Sequence, residues 1–417
     1  MRIIVAPDKF KGSARAPEVA AALAEGLRAG IGRMAGPCAD EGAGTRTGAI
    51  GHEPLEILES PVADGGEGTI DAAIGAGYRP RTLSVTGPAA LPVQAVYAAR
   101  GETAVIEMAQ ASGLDALPHD AAGKPVLDPT GATSSGTGEL IAHALDQGAR
   151  HIVLGLGGSA CTDGGTGMLR ALGVRWLDAT GQELPRGGAA LQRLEGVDLS
   201  GLHPAVAESE FVLAADVDNP LLGDRGAAAV FGPQKGADPA QVAVLEQGLT
   251  RLRDRMAREV GDLGSSAARA EGAGAAGGLG YAALAVLGAR RRHGIDVVLD
   301  LVGFAEQVRG ADLVITGEGS FDEQSLGGKA PMGVLRTARK AGVPVLVVCG
   351  RSLLTARQVQ RAGFAGVLAL SDRAEDPRTS IEQAPRLLRV TGAAIAEDLL
   401  AALVPRPSPA LPVGSGP

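Results

Sequence analysis

The chain has 417 residues, 45% hydrophobic and 21% charged, a balance that suits a globular protein of about two or three domains. A formal net charge of −8 leaves no basic excess to neutralise a nucleic-acid backbone, which excludes that partner class but not a small anion held by a few local cations. Three scattered cysteines and six histidines, with no CxxC or HExxH spacing, give neither a disulfide framework nor a zinc site.

Residues 2–6, RIIVA, are expected to form a short buried strand, followed by the loop PDKFKGS and an Ala-rich helix over 16–27. The opening MRIIVAPDKF lacks a charged leader and a cleavage site, and no apolar run reaches bilayer-spanning length. A cytoplasmic protein with no membrane partner is therefore expected. Residues 36–52 are glycine-rich and aperiodic, as in a surface loop. LEILES (55–60) is the next strand and leads into SPVADGGEGT, with a helix starting near Glu67. From Arg79 the pattern changes. RTLSVT, VQAVYAA and TAVIEM are successive strands with no helices between them, which suggests an inserted mixed or antiparallel piece. TSSGTGELIAHALDQG reads as a helix with a capping box closed by Glu139. HIVLGLGG and FVLAADVDNP are strands running into loops, and 238–260 is a long amphipathic helix with a solvated charged face. RRRH at 290–293 reads as a solvated basic turn. The last third alternates strand and helix through ADLVITGEG, PMGVLRTARKAG, VPVLVVCG and AGVLALS, the pattern of a parallel sheet covered by helices. Residues 405–417 are expected to be a disordered tail.

Three glycine-acid loops follow expected strands: ADGGEGT (63–69), GLGGSACTDGGTGM (155–168) and TGEGSFDEQSLGGKAP (316–331). Ligands of open α/β sheets bind at the carboxyl ends of strands. Glycine lets a backbone approach closely and turns N–H groups toward an anion. Gly327, Gly328 and Lys329 stand just before Pro331, a residue favoured at a helix start, so they form an anion site in waiting. Glu318 and Asp322 in the same loop would repel phosphate unless a cation lay between. Magnesium takes one or two carboxylates together with phosphate oxygens. Lysine is scarce, and Lys9, Lys11, Lys235 and Lys329 all sit in glycine-containing loops. Asp216 and Asp218 would face the same way if their strand persists; the alternative for Asp218 is plain turn chemistry with Asn219 and Pro220. Together these features point to phosphoryl transfer.

GxxxxGK[ST] is absent, as are HRD and DFG, which excludes P-loop NTPases and protein kinases. A rival signal is GxGxxA at Gly155, Gly157 and Ala160, with Asp178 where a ribose-binding acid would lie. That reading makes the chain an NAD-dependent dehydrogenase of a hydroxy acid, although Asp163 would then crowd the pyrophosphate. A second match, Gly272, Gly274 and Gly277, does not follow a strand and reads as a packing cluster.

Eight segments in order, APDKFKGS, ADGGEGT, GTGEL, GLGGSACTDGG, DVDNPLLG, VFGPQKGA, GAGAAGGLG and DLVITGEG with GGKAP, resemble the bacterial glycerate kinases of the glycerate/glucarate utilisation type. The resemblance runs from Ile3 to about Gly350. It implies an α/β protein of two domains: a Rossmann-like parallel-sheet domain built from both chain ends (1–78 and 285–404) and an inserted mixed-sheet domain (79–284), with the site in the cleft. It further implies ATP and Mg2+ as cofactors, D-glycerate as substrate and 2-phosphoglycerate as product. Alternatives are 3-phosphorylation, a related small hydroxy acid, or a non-catalytic nucleotide-binding protein, and a monomer or homodimer is expected. On this reading Lys11, Lys235 and Lys329 hold phosphate or the glycerate carboxylate. Asp64, Glu67, Glu318 and Asp322 are candidates to hold magnesium or to act as the general base, with Asp64 placed among the catalytic residues and Glu67, Glu318 and Asp322 among the metal ligands. Asp163 and Asp216 are second choices for the base. Gly65, Gly66, Gly157, Gly158, Ser159, Gly327 and Gly328 line the nucleotide. Two positions depart from the family's pattern: Cys161-Thr162 where Thr-Asn is common, and Ser134-Ser135 where Thr-Tyr is usual.

Overall fold

Apolar runs from the start of the chain pair with runs from its end. The structure, a computed structural model, describes residues 1–34 and 56–403; the expected loop at 36–52 and tail at 405–417 lie outside the described residues. The strands in chain order are β1 (Arg2–Pro7), β2 (Glu56–Glu59), β3 (Arg79–Thr86), β4 (Pro92–Arg100), β5 (Thr103–Glu107), β6 (His151–Gly155), β7 (Arg175–Leu177), β8 (Gly196–Asp198), β9 (Glu210–Ala214), β10 (Arg290–Arg292), β11 (Leu313–Phe321), β12 (Val345–Ser352) and β13 (Gly366–Ala369). One sheet has the order β13-β12-β11-β1-β2 and is parallel throughout. The second has the order β10-β9-β6-β5-β4-β3, parallel from β10 to β5 and antiparallel at β4 and β3. β7 and β8 form a separate antiparallel pair. The chain is therefore α/β, with a parallel sheet from both ends and a mixed sheet between.

Strand periodicity explains why the parallel sheet is buried on both faces. Ile4 and Ala6 of β1 pack on one side with Val314, Val347, Ile295 and Leu335. Ile3 and Val5 point the other way, against Leu23 and Leu27 of helix Ala16–Met34 and Leu388 of helix Ala384–Leu403. The mixed sheet has its own larger core around Ile106, Leu140, Leu154 and Phe211. A small cluster, including Ile70, Tyr78, Val105, Ala214 and Val297, joins the two sheets through helices Thr69–Gly75 and Gly294–Leu301.

Three local expectations are corrected. RRRH is not a turn: Arg290–Arg292 extend the mixed sheet as β10, beyond residue 285, because each arginine finds a carboxylate at the sheet edge (Glu210, Asp218 with Glu271, and Asp300). Helix Ser135–Asp146 has no capping box: Ser134 makes no side-chain cap, and Glu139 instead accepts the Thr86 amide at 2.7 Å. TGEGSF is not a loop, since β11 continues to Phe321 alongside β12. Among the described residues no helix is long and apolar enough to cross a membrane.

Candidate active site

The site grows from the end of β1. Pro7 pairs with Gly317, so the next residue, Asp8, emerges beside Glu318 of β11, and its amide donates to the Gly317 carbonyl at 2.8 Å. Asp8 is only 6% exposed. Burial first, then the charges of Asp64 and Glu318, push its pKa up to about 8 against the pull of Lys9. Glu318 is pushed up to about 7, again by burial first; Ser325 and Lys329 pull it down, while Asp322 and Asp64 push it up. Its Oε1 is buried and has no hydrogen-bond partner among the described residues.

Asp64 is the common neighbour. Its charge acts on Asp8, Lys9, Asp216 and Glu318 alike. Its loop is wedged between the two sheets. Gly65 has φ +87°, and a Cβ there would strike Gly294 and press Ala214 at 3.1 Å. Gly155, at the end of β6, leaves room for the Gly65 carbonyl, and Gly157 abuts Gly66. A Cβ on Gly294 would run into the Asp64 carbonyl. Gly294→Ala is therefore expected to push the loop out of place, costing about 1–3 kcal/mol of stability as overpacking does. Turnover should fall further than stability alone explains, a difference that thermal melts and initial rates at low temperature would separate.

Cations stand around the carboxylates. Lys9 donates to the Glu67 carbonyl at 2.7 Å and lies 3.8 Å from the Glu67 carboxylate. Burial works against its charge, but Asp8, Asp64, Glu67 and Glu107 together hold its pKa above the ordinary value. Lys11 is exposed in a pocket of about 250 Å³ lined also by Lys9, Ser13, Arg15 and Glu67. Lys329 is the N-cap residue of helix Ala330–Lys340, with a 3.5 Å contact to Gln324. Lys11, Lys9, Lys329, Asp64, Glu67 and Glu318 thus share one region.

Other expected residues already have structural partners. Asp163 is fully buried and accepts from the Ser134 amide and hydroxyl and from the Gly165 and Gly167 amides, at 2.8–3.1 Å. A carboxylate with four donors is poorly disposed to act as the base. Lys235 is also buried, donating to the Cys161 carbonyl at 2.5 Å; burial lowers its pKa to about 8, and nearby Cys161 and Asp163 oppose that shift. It braces a loop and does not face solvent. Asp322 caps helix Glu323–Leu326 through the Gln324 and Ser325 amides, and Gly327 spends its amide on the Gln324 carbonyl; Gly328 takes φ +116° in the turn before Lys329. Ser159 forms a β-bridge with Gly113. Because β9 ends at Ala214, Asp216 and Asp218 do not share a strand face. Asp216 accepts the Gly294 amide at 2.9 Å, and Asp218 pairs with Arg291. Among the described residues no three His, Cys, Asp or Glu side chains form a ready metal cage.

The dinucleotide fingerprint is not realised. No helix opens within Gly155–Ala160; the next one starts at Thr166, and Asp178 ties a turn through Thr180 and Gln182. In the second glycine match, Ala276, Gly277 and Gly278 all have positive φ, and a Cβ on Gly277 would hit the Cys161 carbonyl, so that cluster is packing. At the two departures, the Ser134 hydroxyl and amide hold Asp163, and Lys235 donates to the Cys161 carbonyl and lies 3.4 Å from the Thr162 hydroxyl. Two buried acids were absent from the expected site, Asp8 and Glu107. The available signal was an acid closing an apolar strand, in RIIVAPD and TAVIE.

Comparison with known proteins gives the family. The family model described as "Glycerate kinase family" matches residues 3–400. The chain belongs to the glycerate kinase family. A Bacillus subtilis (strain 168) protein named glycerate kinase is 42% identical over 402 residues, covering 96% of this chain and 98% of that one. A glycerate 2-kinase of Escherichia coli (strain K12) is 41% identical over 353 residues, 84% of this chain and 85% of that one. The crystal structure of a Salmonella typhimurium LT2 protein described as a glycerate kinase 2 superposes with a TM-score of 0.79 at 39% identity, covering 97% of this chain and 99% of that one. The chain is accordingly a kinase, built on the two-sheet α/β fold described above.

Proposed function

We propose that this kinase transfers the γ-phosphoryl group of ATP to a hydroxyl of D-glycerate, giving 2-phosphoglycerate. The observation that carries the reading is the convergence of Asp8, Asp64 and Glu318 with Lys9 and Lys329 at the carboxyl ends of parallel strands. The name of the Escherichia coli relative, glycerate 2-kinase, supports the position of transfer.

Phosphoryl transfer needs positioning and charge neutralisation more than covalent help. Lys11 and Lys329 are the cations best placed to meet phosphate oxygens, with the Gly65 and Gly66 backbone close by. Asp64 takes the proton of the attacking hydroxyl. Asp8, held protonated near neutral pH, donates to a substrate oxygen. Magnesium fits this set: the Glu318 Oε1, unpartnered among the described residues, and the carboxylates crowding Asp64 form an acceptor-rich region of the kind an ion with phosphate and water ligands takes. Glu318 and Glu67 would hold it, and when bound it supplies neutralisation of phosphate charge. Asp163, Asp216, Lys235 and Asp322 are assigned here to holding the loops in place.

ADP release in the presence of Mg-ATP tests the reading. D-glycerate should stimulate release well above the rate with ATP alone; equal rates with and without it would refute glycerate as the acceptor.

A further inference from the structure

We infer that Glu107 is a positioning residue for this site, acting from the mixed sheet on a loop that belongs to the parallel sheet. The inference rests on the reading above that the Asp64–Gly68 loop carries the chemistry. Glu107 is the last residue of β5 and is 3% exposed. Its Oε1 accepts the Gly68 amide at 3.0 Å and the Ile70 amide at 2.7 Å. These amides open helix Thr69–Gly75, whose N-cap residue, Gly68, has no side chain to cap it. From the other side, Lys9 Nζ donates to the carbonyl of Glu67, the residue just before. The loop is thus pinned on either side of one peptide unit, once from each sheet. Asp64 lies at its start, against Gly294.

A buried carboxylate is a costly way to cap a short helix. Burial raises the Glu107 pKa, with the Ile70 and Gly68 amides and Gln110 opposing the shift. An apolar residue at the end of TAVIE would serve packing alone. Its charge also acts on the Lys9 ammonium, after those of Asp8, Asp64 and Glu67, so one group fixes the loop and takes part in the charge balance beside Asp8 and Asp64. Because both bonds end on Oε1, glutamine can keep them while losing the charge. Aspartate keeps the charge but is one methylene too short to reach both amides.

The test compares full-length wild type, Glu107→Ala, Glu107→Gln and Glu107→Asp, all shown folded at the assay temperature. Steady-state rates with D-glycerate and Mg-ATP are read beside amide hydrogen exchange in the peptide spanning 60–70. Glu107→Asp and Glu107→Ala should lose at least about 10-fold in kcat with the KM for ATP within about 2-fold, as expected for a misplaced loop. Glu107→Gln should recover most of the loss. Exchange at Gly68 and Ile70 should speed up in the first two and not in Glu107→Gln. A lowered melting temperature with wild-type kcat in Glu107→Asp would reduce Glu107 to a structural cap and overturn the inference. So would a Glu107→Gln enzyme as slow as Glu107→Ala. If the wild type fails to turn over glycerate, the functional reading falls, and the exchange pattern still decides whether Glu107 holds the loop: unchanged exchange in Glu107→Ala overturns it.

Discussion

Asp64→Asn should fold like the wild type and lose about 10²–10⁴ in kcat at saturating Mg-ATP and D-glycerate, the range over which general base catalysis contributes. Asparagine matches the side chain in size but cannot take the hydroxyl proton. Asp64 is half-buried, in a loop braced by backbone contacts to Gly294 and Gly155. Stability should therefore change little, and relief of repulsion toward Asp8, Glu318 and Asp216 should if anything raise it. Rates and melts on the same preparation separate the two effects. A variant retaining more than about half the wild-type kcat would remove Asp64 from the chemistry.

Asp8→Asn should stabilise the fold at alkaline pH. In the folded chain Asp8 titrates at about 8, whereas an unfolded aspartate titrates at about 3.9. Between those values the folded state holds a proton that the unfolded state has released. The stability this confers is full below about pH 4 and is lost as pH rises through about 8. Asparagine presents the same neutral shape at every pH and keeps an oxygen for the Lys9 amide, which the carboxylate accepts at 2.6 Å. In magnesium-free buffer the variant should melt several degrees above the wild type at pH 8.5, a gain on the order of a few kcal/mol, with the gap closing toward pH 5. Added magnesium should narrow the gap at pH 8.5 by stabilising the wild type. A gap that does not vary with pH would show that Asp8 is ionised throughout, contrary to the account of its burial.

The parallel sheet was legible because RIIVA, DLVIT and VPVLVV are unbroken apolar runs between glycine loops, as strands buried on both faces require. The region of the candidate site was legible for a related reason, since ADGGEGT and GGKAP combine glycine with charge just beyond strands. Individual roles were less so. Asp163 and Asp322 stand in the same kind of loop as Asp64, yet they are consumed by local amides. A capping aspartate and one proposed for chemistry look alike until their donors are counted. Lys235 resembled Lys11 in its glycine context, but GPQKG closes as a 3-10 turn that drives the lysine into the interior. Glu107 was hidden because its partners are backbone amides more than thirty residues away in sequence, and residue identity carries no trace of such bonds.

The most direct test of the central claim mixes the protein with Mg-ATP, D-glycerate and enolase, and follows phosphoenolpyruvate by its absorbance. Enolase acts on 2-phosphoglycerate and not on the 3-isomer. The account predicts an immediate signal that depends on both ATP and D-glycerate and vanishes with Asp64→Asn. Silence that phosphoglycerate mutase relieves would contradict the proposed position of transfer, and silence with no ADP formed would contradict glycerate as the substrate.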